Sequence, residues 1–438
     1  MAQVIFSFDT EDFITSEADD AVLKWAQMLT RHGVKGCFCL VGERARALRR
    51  RGRTDVIQAL KQHEIGYHSD THSLHPLMAE YLEGMDWDDG VVEVTRREAK
   101  GIEGVAEVFG QFPTAFIRPG NDWAPQVLRA MDLLGIHVYG DANFEMPDGN
   151  LMWYCNSLLV KYHLAFDTYF DVEERLPKMK EDFDRLLGER KDKVIVIFTH
   201  PCRLMTERFW DELFVDGRNP PRADWRPVPL RPPAVTAELI ADFDKFIAHV
   251  MRKPQVKITT FRELYESCRE QDGMWVPISQ VVEMARRVQT ELDYQAIGSE
   301  IFSPAEIFGI LTWVLMRFKE DGYLPTQTPL RRILGPVELS PSLRGSFEVS
   351  AEDLLLACYE ADGYIEQFRR MPGVVHLGQK ALSPGTFLGA MARLVTAFAD
   401  EPNPPSRIVL KCESSYPEIA QEKDFQELRY QGTWQIFP

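Results

Sequence analysis

The sequence has no apolar run approaching the ~20 residues that a membrane-crossing helix needs. Its N-terminus enters the apolar stretch "QVIFSF" with no basic segment or small-residue cleavage pattern before it. Neither a membrane span nor a leader is read from it, and a cytoplasmic location is the expectation. Cysteine is sparse, seven residues at 37, 39, 155, 202, 268, 358 and 412. No two are spaced C-x-x-C, so a zinc knuckle and a thioredoxin-type motif are excluded, and a reducing compartment is the simplest setting. Positive charge is also short: 50 Lys and Arg face 66 Asp and Glu, a net charge of −16. That balance argues against a nucleic-acid partner or a broad anionic-membrane surface. Histidine is scarce as well. There are ten in 438 residues, yet His68, His72 and His75 fall together in "EIGYHSDTHSLHP", residues 64–76.

At 438 residues with 45% hydrophobic content, the chain is long enough for about two domains of ~100–200 residues. Strand-like and helix-like segments alternate over the first part. Val4–Phe8, "CFCLV" (37–41), "EIGYH", "TAFIRP", "HVYG" and "KVIVIFTH" (193–200) read as strands, with "VKITTF" as the last. Residues 158–166 are strand-like without clear bounds. Between them Val22, Trp25, Ala26 and Leu29 recur at helical spacing. "TDVIQALKQH" reads as a helix capped by Thr54, and 93–108, 173–187 and 236–251 as further helices. Seven or eight βα units predict an α/β fold, a distorted (β/α) barrel of parallel strands over residues 1–270. Residues 201–235 hold six prolines between Pro220 and Pro233, interleaved with Arg222, Trp225, Arg226 and Arg231. So long an irregular loop leaving a strand end reads as a lid or substrate wall, with Trp225 able to stack on a substrate ring.

From about residue 275 the pattern becomes helical and repeats. "ISQVVEMARRV" (278–288) matches "VSAEDLLLACYEA" (349–361), and "FSPAEIFGILTWVLMRF" (302–318) matches "LSPGTFLGAMARLVTAF" (382–398). A serine before each helix is suited to capping, and proline opens the second helix of each copy. Residues 275–438 are therefore expected to form a mainly helical, duplicated module. Its tail can add strands at Arg407–Cys412 and Thr433–Phe437.

Polar residues gather at four predicted strand ends: "FDTED", "HSDTH", "IRPGND" and "FTHP". On a parallel barrel that rim is where chemistry is assembled. His68 and His72, four apart, can share one cation. Residue 69 is Ser, so this is not the HExxH pattern. The acidic group Asp9, Glu11 and Asp12 can supply a further ligand. Alternation along the strand favours Glu11, with Asp12 as the alternative.

The ordered series "SFDTED", "HSDTH", "RPGNDW" and "IVIFTHP" resembles the NodB-homology polysaccharide deacetylases over residues 1–265. The resemblance implies a general base at Asp9, metal ligands at His68 and His72, and a general acid at His200. It makes Arg118 the residue that keeps the base charged. Family members carry adjacent aspartates in the first motif, whereas Thr10 follows Asp9 here. Their fourth motif has only Asp141 as a candidate, which also reads as a turn residue. The implied cofactor is a divalent ion, Zn2+ first, with Co2+, Ni2+ or Mn2+ as alternatives. The implied partner is an N-acetylated carbohydrate and the implied reaction is hydrolytic removal of its acetyl group. The competing readings are an amidohydrolase of the same fold acting on a ureide or cyclic imide, and an inactive glycan-binding protein. The helical repeats resemble pseudomurein-binding repeats, which implies contact with cell-wall glycan.

Overall fold

The computed structural model describes the chain apart from residues 121, 143–144, 146–148, 269–273, 291, 298–299, 339–342, 344, 402–404 and 412–438. The described residues divide into two compact units. One consists of Met1–Met152 and Ser157–Ser267, the other of Trp153–Asn156 and the chain from Cys268 onward. Among the described residues, no helix is long and apolar enough to cross a membrane.

The first unit is built on nine strands: β1 (Ala2–Thr10), β2 (Cys37–Leu40), β3 (Glu64–Tyr67), β4 (Phe116–Ile117), β5 (Val138–Gly140), β6 (Ser157–Val160), β7 (Leu164–Ala165), β8 (Val194–Thr199) and β9 (Val256–Ile258). Their order is β6–β5–β4–β3–β2–β1–β8–β7, with β9 paired to the start of β1. Every one of these pairings is parallel. The sheet is a curled half-barrel, open between β6 and β7 among the described residues. The expected seven or eight strands become nine because residues 158–166 hold two short strands where the sequence suggests one. β1 runs at the centre and is buried on both faces, as its aromatic and β-branched sequence requires.

The register aligns the strand ends. Phe8 pairs with Phe38 and Thr199, Tyr67 with Leu40 and Phe116, and Ile117 with Gly140. Apart from β9, which pairs with the start of β1, the strands therefore end on one rim, and the residue after each end meets its neighbours there.

Helices cover the sheet. In Ala18–Arg31 the expected stripe of Val22, Trp25, Ala26 and Leu29 is buried. Trp87–Phe109 begins earlier than the periodicity indicates because the Asp86 side chain accepts from the Asp89 N–H. Thr54 does not cap its helix. It is the first helical residue, and Arg53 precedes it without a side-chain cap.

The second unit is a structural duplication. Each copy runs strand, helix, hairpin, helix, strand, and its last strand pairs antiparallel with its first. The first copy comprises Trp275–Pro277, Ile278–Val288, Gln295–Ile297 with Glu300–Phe302, Pro304–Asp321 and Gln327–Pro329. The second comprises Ser346–Ser350, Ala351–Phe368, Val375–Leu377 with Lys380–Leu382, Pro384–Asp400 and Arg407–Lys411. Helix 278–288 packs on 384–400, and 304–321 packs on 351–368, a reciprocal arrangement around one shared core. Ser303, Ser350 and Ser383 cap their helices as expected. Ser279 does not, because its helix starts at Ile278. The hairpins are invisible in the sequence because strands of three residues carry no readable alternation. Thr433–Phe437 lies outside the described residues.

Within the first unit, Glu98 is buried on Trp87–Phe109 and accepts from the Tyr67 hydroxyl at 2.6 Å and the Asp70 N–H at 2.9 Å. Burial pushes its pKa up to about 7, with the Asp70 charge adding to the rise against these hydrogen bonds. Its folded-state pKa lies above the unfolded value of 4.5, so the unfolded chain releases this proton first as pH rises. Stability is therefore lost between about pH 4.5 and pH 7. Relative to Glu98→Gln, the native protein should lose about 3 kcal/mol between pH 4.5 and 8 in urea denaturation. Parallel profiles for the two proteins would remove the assignment.

Candidate metal centre and its surroundings

Five strand ends deliver the centre and its surroundings. Asp9 is the penultimate residue of β1, and Glu11 and Asp12 follow it. His68 follows β3, and His200 follows β8. Arg118 follows β4, and Asp141 follows β5. Glu11, His68 and His72 are all buried, and one ligand atom from each lies within 4.8 Å of the others. Glu11 Oε2 is 3.3 Å from His68 Nε2 and 2.7 Å from His72 Nε2.

The hydrogen bonds behind the imidazoles set their tautomers. His68 Nδ1 faces the Ile117 carbonyl at 2.9 Å, so Nδ1 carries the proton. Ser73 donates to Asp211 at 2.7 Å, so its hydroxyl oxygen accepts from His72 Nδ1 at 2.6 Å. Both Nε2 lone pairs therefore face the Glu11 carboxylate. Glu11 Oε1 and His72 Nε2 are buried without a hydrogen-bond partner, although the latter stands within ion-pair distance of Glu11. Two lone pairs turned onto a buried carboxylate are stable only if protons or a shared cation lie between them. Burial opposes the charge on His68, but Glu11 and Asp9 pull its pKa up. Protons and a divalent cation thus compete for one site, and the two-imidazole, one-carboxylate donor set fits a cation such as Zn2+.

Asp12 does not belong to this group. Its Oδ1 accepts from the Ile14 and Thr15 N–H groups at 2.9 and 2.8 Å, closing the turn after β1. Alternation explains the difference: Asp9 and Glu11 share a face of the extended chain, and Asp12 lies on the other.

Asp9 is buried and accepts from the Tyr162 hydroxyl at 3.0 Å, while Ser7 bonds the same hydroxyl at 2.6 Å. Burial pushes the Asp9 carboxyl up to about 6, against the pull of His68 and His200. His200 Nε2 is 3.8 Å from Asp9 Oδ2, and its Nδ1 is 2.7 Å from Asp167 Oδ2. Burial works against its charge, yet Glu11, Asp167 and Asp9 raise its pKa to about 10. Arg118 pairs with Asp141 at 2.9 Å. The expected partner was Asp9. Strand order gives the reason: β4 and β5 are neighbours, while β1 is three strands from β4. Asp141 is both a turn residue, with φ of 54°, and the ion-pair partner of Arg118.

Sequence reasoning missed Tyr162, Asp167 and the Ser73–Asp211 relay. Tyr162 is the second residue after β6 and Asp167 the second after β7, so the strand-end rule points to both once those strands are bounded. The proline-rich loop also differs from expectation. Trp225 packs on Phe13 and Phe214, and its Nε1 donates to the Pro220 carbonyl. It is an anchor, and its ring is not a free platform. The loop walls the site with other residues. Trp210 is buried 5.6 Å from the His72 ring, and Phe209 meets the His200 ring edge-on at 4.9 Å. Its removal would open a core, so stability as well as turnover depends on it.

No family model and no curated protein matches the chain. Solved structures do. A protein from Mycobacterium smegmatis assigned to the polysaccharide deacetylases is 19% identical, with 62% of this chain and 91% of that one covered, at a TM-score of 0.41. A family 4 carbohydrate esterase from Streptomyces lividans, in complex with acetate, is 14% identical over 59% and 92%, at 0.34. A family 4 pseudoenzyme from Bacillus anthracis is 14% identical over 46% and 56%, at 0.30. Polysaccharide deacetylases are thus among the structures this chain is similar to. At such identities and scores these likenesses carry no argument about activity. The likeness of the C-terminal repeats to pseudomurein-binding repeats finds no support in them.

Titration of the purified, chelator-stripped protein with Zn2+ should give about one equivalent bound. Glu11→Ala, His68→Ala and His72→Ala should each weaken binding by at least the ~100-fold that loss of a supporting partner can cost. Asp12→Ala should bind normally and lose about 1 kcal/mol of stability with its turn. Metal loss in Asp12→Ala with retention in Glu11→Ala would reverse the assignment.

Proposed function

We propose that the chain is a metal-dependent hydrolase that removes the acetyl group from an N-acetylated sugar. The observation that carries this reading is the buried Glu11–His68–His72 triad, with both Nε2 lone pairs fixed inward, beside a base candidate and an acid candidate. A divalent cation held by the triad, Zn2+ first by its donor set, would polarise the acetamide carbonyl and ease deprotonation of the attacking water.

Asp9 is the base in this scheme. Above its pKa of about 6 it is ionised, and the Tyr162 hydroxyl fixes one of its oxygens, leaving the other to take a proton from water. His200 is the acid. Its Nδ1 is held by Asp167, which leaves Nε2 to deliver a proton to the departing amine nitrogen. An amide nitrogen is a poor anionic leaving group, so that proton is needed for the C–N bond to break. Arg118 acts at one remove, through Asp141.

His200→Ala and Asp9→Ala should retain metal and each lose roughly 10²–10⁴-fold in acetate release from N-acetylglucosamine oligomers. On a nitrophenyl acetate, whose leaving group needs no proton, His200→Ala should recover most of its rate. Asp9→Ala should remain slow on both. Equal loss of ester and amide cleavage in His200→Ala would displace it as the acid. Turnover of a ureide or cyclic imide, with no acetate from any sugar, would move the chain to the amidohydrolase reading. An absence of turnover on all of them would leave a glycan-binding role.

A further inference from the structure

The loop between β8 and the helix Pro233–Met251 is closed at its own neck. Thr206 bridges Leu230, the Glu207 N–H donates to the Pro229 carbonyl at 2.9 Å, and the Arg231 N–H donates to the Met205 carbonyl at 2.7 Å. The Arg231 guanidinium adds bonds to the Arg203 and Thr206 carbonyls, both at 3.0 Å. Residues 207–229 therefore project as one body from a fixed base, and none of these bonds involves the triad. The outer contacts of that body fall on the segments that carry the metal ligands. Asp211 accepts from Ser73, which accepts from His72 Nδ1. His75 Nε2 donates to the Phe214 carbonyl at 3.1 Å, and Asn219 Nδ2 donates to the His75 carbonyl at 2.9 Å. Trp210 and Phe214 share a small apolar core with Phe13 and Val41, edged by Leu74 and Trp225. Phe13 is two residues past Glu11, and Leu74 two past His72. The relay gives this docking a chemical consequence. With Asp211 in place, the Ser73 proton is committed to a carboxylate, so the Ser73 oxygen accepts and His72 keeps its proton on Nδ1. With Asp211 withdrawn, the same hydroxyl turns and donates to Nδ1. The neutral ring then exchanges through solvent to its Nε2–H tautomer, and a donor faces Glu11 where a lone pair stood.

We propose that the 207–229 loop is a metal-linked lid, with Asp211 as the positioning residue through which docking of the loop and occupancy of the triad reinforce each other. The inference rests on the metal-binding part of the proposed function, and on neither its substrate nor its reaction. By linkage, whatever factor the docked loop adds to metal affinity, the metal adds to docking. That factor is about 10-fold, the lower end of what a partner behind a ligating histidine contributes. The loop also carries Phe209 against the His200 ring and Trp210 beside His72. A metal-free chain therefore opens this wall more often, and loading the cation closes it around the acid candidate.

Hydrogen exchange read by mass spectrometry tests this on the full chain, stripped by chelator and then saturated with Zn2+. Amides of residues 207–218 should exchange about 10-fold more slowly in the loaded protein. Those of the helix Pro384–Asp400, in the second unit, should not change. In Asp211→Ala and in Ser73→Ala, Zn2+ should bind about 10-fold more weakly and no longer slow the loop. The two changes cut one relay, so the double variant should bind Zn2+ no more weakly than either single one. One equivalent of Zn2+ bound with loop exchange unchanged, or native affinity in Asp211→Ala, overturns the linkage and leaves the metal centre standing. Additive losses in the double variant overturn the relay as its route. A native protein that binds no Zn2+ removes the metal centre, and the linkage with it. Should the variants not fold, the exchange comparison on the native chain still decides.

Discussion

The site depends on where two protons sit. If His68 carried its proton on Nε2, it would donate to Glu11 and the pair would be satisfied without a ligand. The Ile117 carbonyl prevents this by claiming Nδ1–H, and the Ser73–Asp211 relay does the same for His72. An ionised carboxylate facing two lone pairs is a costly arrangement in a buried place. The fold maintains it because the imidazoles are held from behind by main chain and by a side chain of the 201–235 loop. Neither support belongs to the H-x-x-x-H spacing itself. The spacing makes a shared cation feasible, and the supports make it favourable.

The same electrostatics divides the remaining labour. Asp9 and His200 lie 3.8 Å apart and perturb each other. Burial pushes the Asp9 carboxyl up to about 6, yet it remains mostly ionised at neutral pH. The His200 pKa, up to about 10, owes much of its rise to the Glu11 charge. In the proposed scheme, a cation on Glu11 would cancel that contribution and bring His200 down toward the range where an imidazolium gives up its proton readily. Occupancy of the triad would then tune a residue that does not touch it.

Much of this is legible in the sequence. Parallel strands in register end on a common rim, so Asp9, His68, Arg118 and His200 can be grouped from four strand ends alone. The choice of Glu11 over Asp12 comes from period-two alternation, and the hydrogen bonds of Asp12 to Ile14 and Thr15 agree with it. What escapes is set by pairing between distant segments. Arg118 meets Asp141 because β4 neighbours β5, and strand order is not written in either segment. Tyr162 and Asp167 are hidden by the two short strands that precede them. Trp225 looks like a sugar platform because no local pattern says that Phe13 and Phe214 will cover it.

One local feature explains how the centre keeps its shape without a continuous helix under it. Ser69 and His72 both adopt positive φ, 63° and 50°, which costs each of them energy outside glycine. Such a loop persists only if its neighbours over-determine it. Asp70, between the two, does this. Its N–H donates to Glu98, its carbonyl accepts from the Glu43 N–H, and its carboxylate pairs with Arg46 at 2.6 Å. The carboxylate fits because two glycines leave it room. A Cβ on Gly42 would stand 2.1 Å from Asp70 Oδ1, and one on Gly101 would stand 2.1 Å from the Tyr67 hydroxyl and 2.7 Å from the same Oδ1. Both contacts are far inside van der Waals range, and Tyr67 is buried, so it has little space to yield. The geometry of the triad is thus fixed from two helices that contribute no ligand to it.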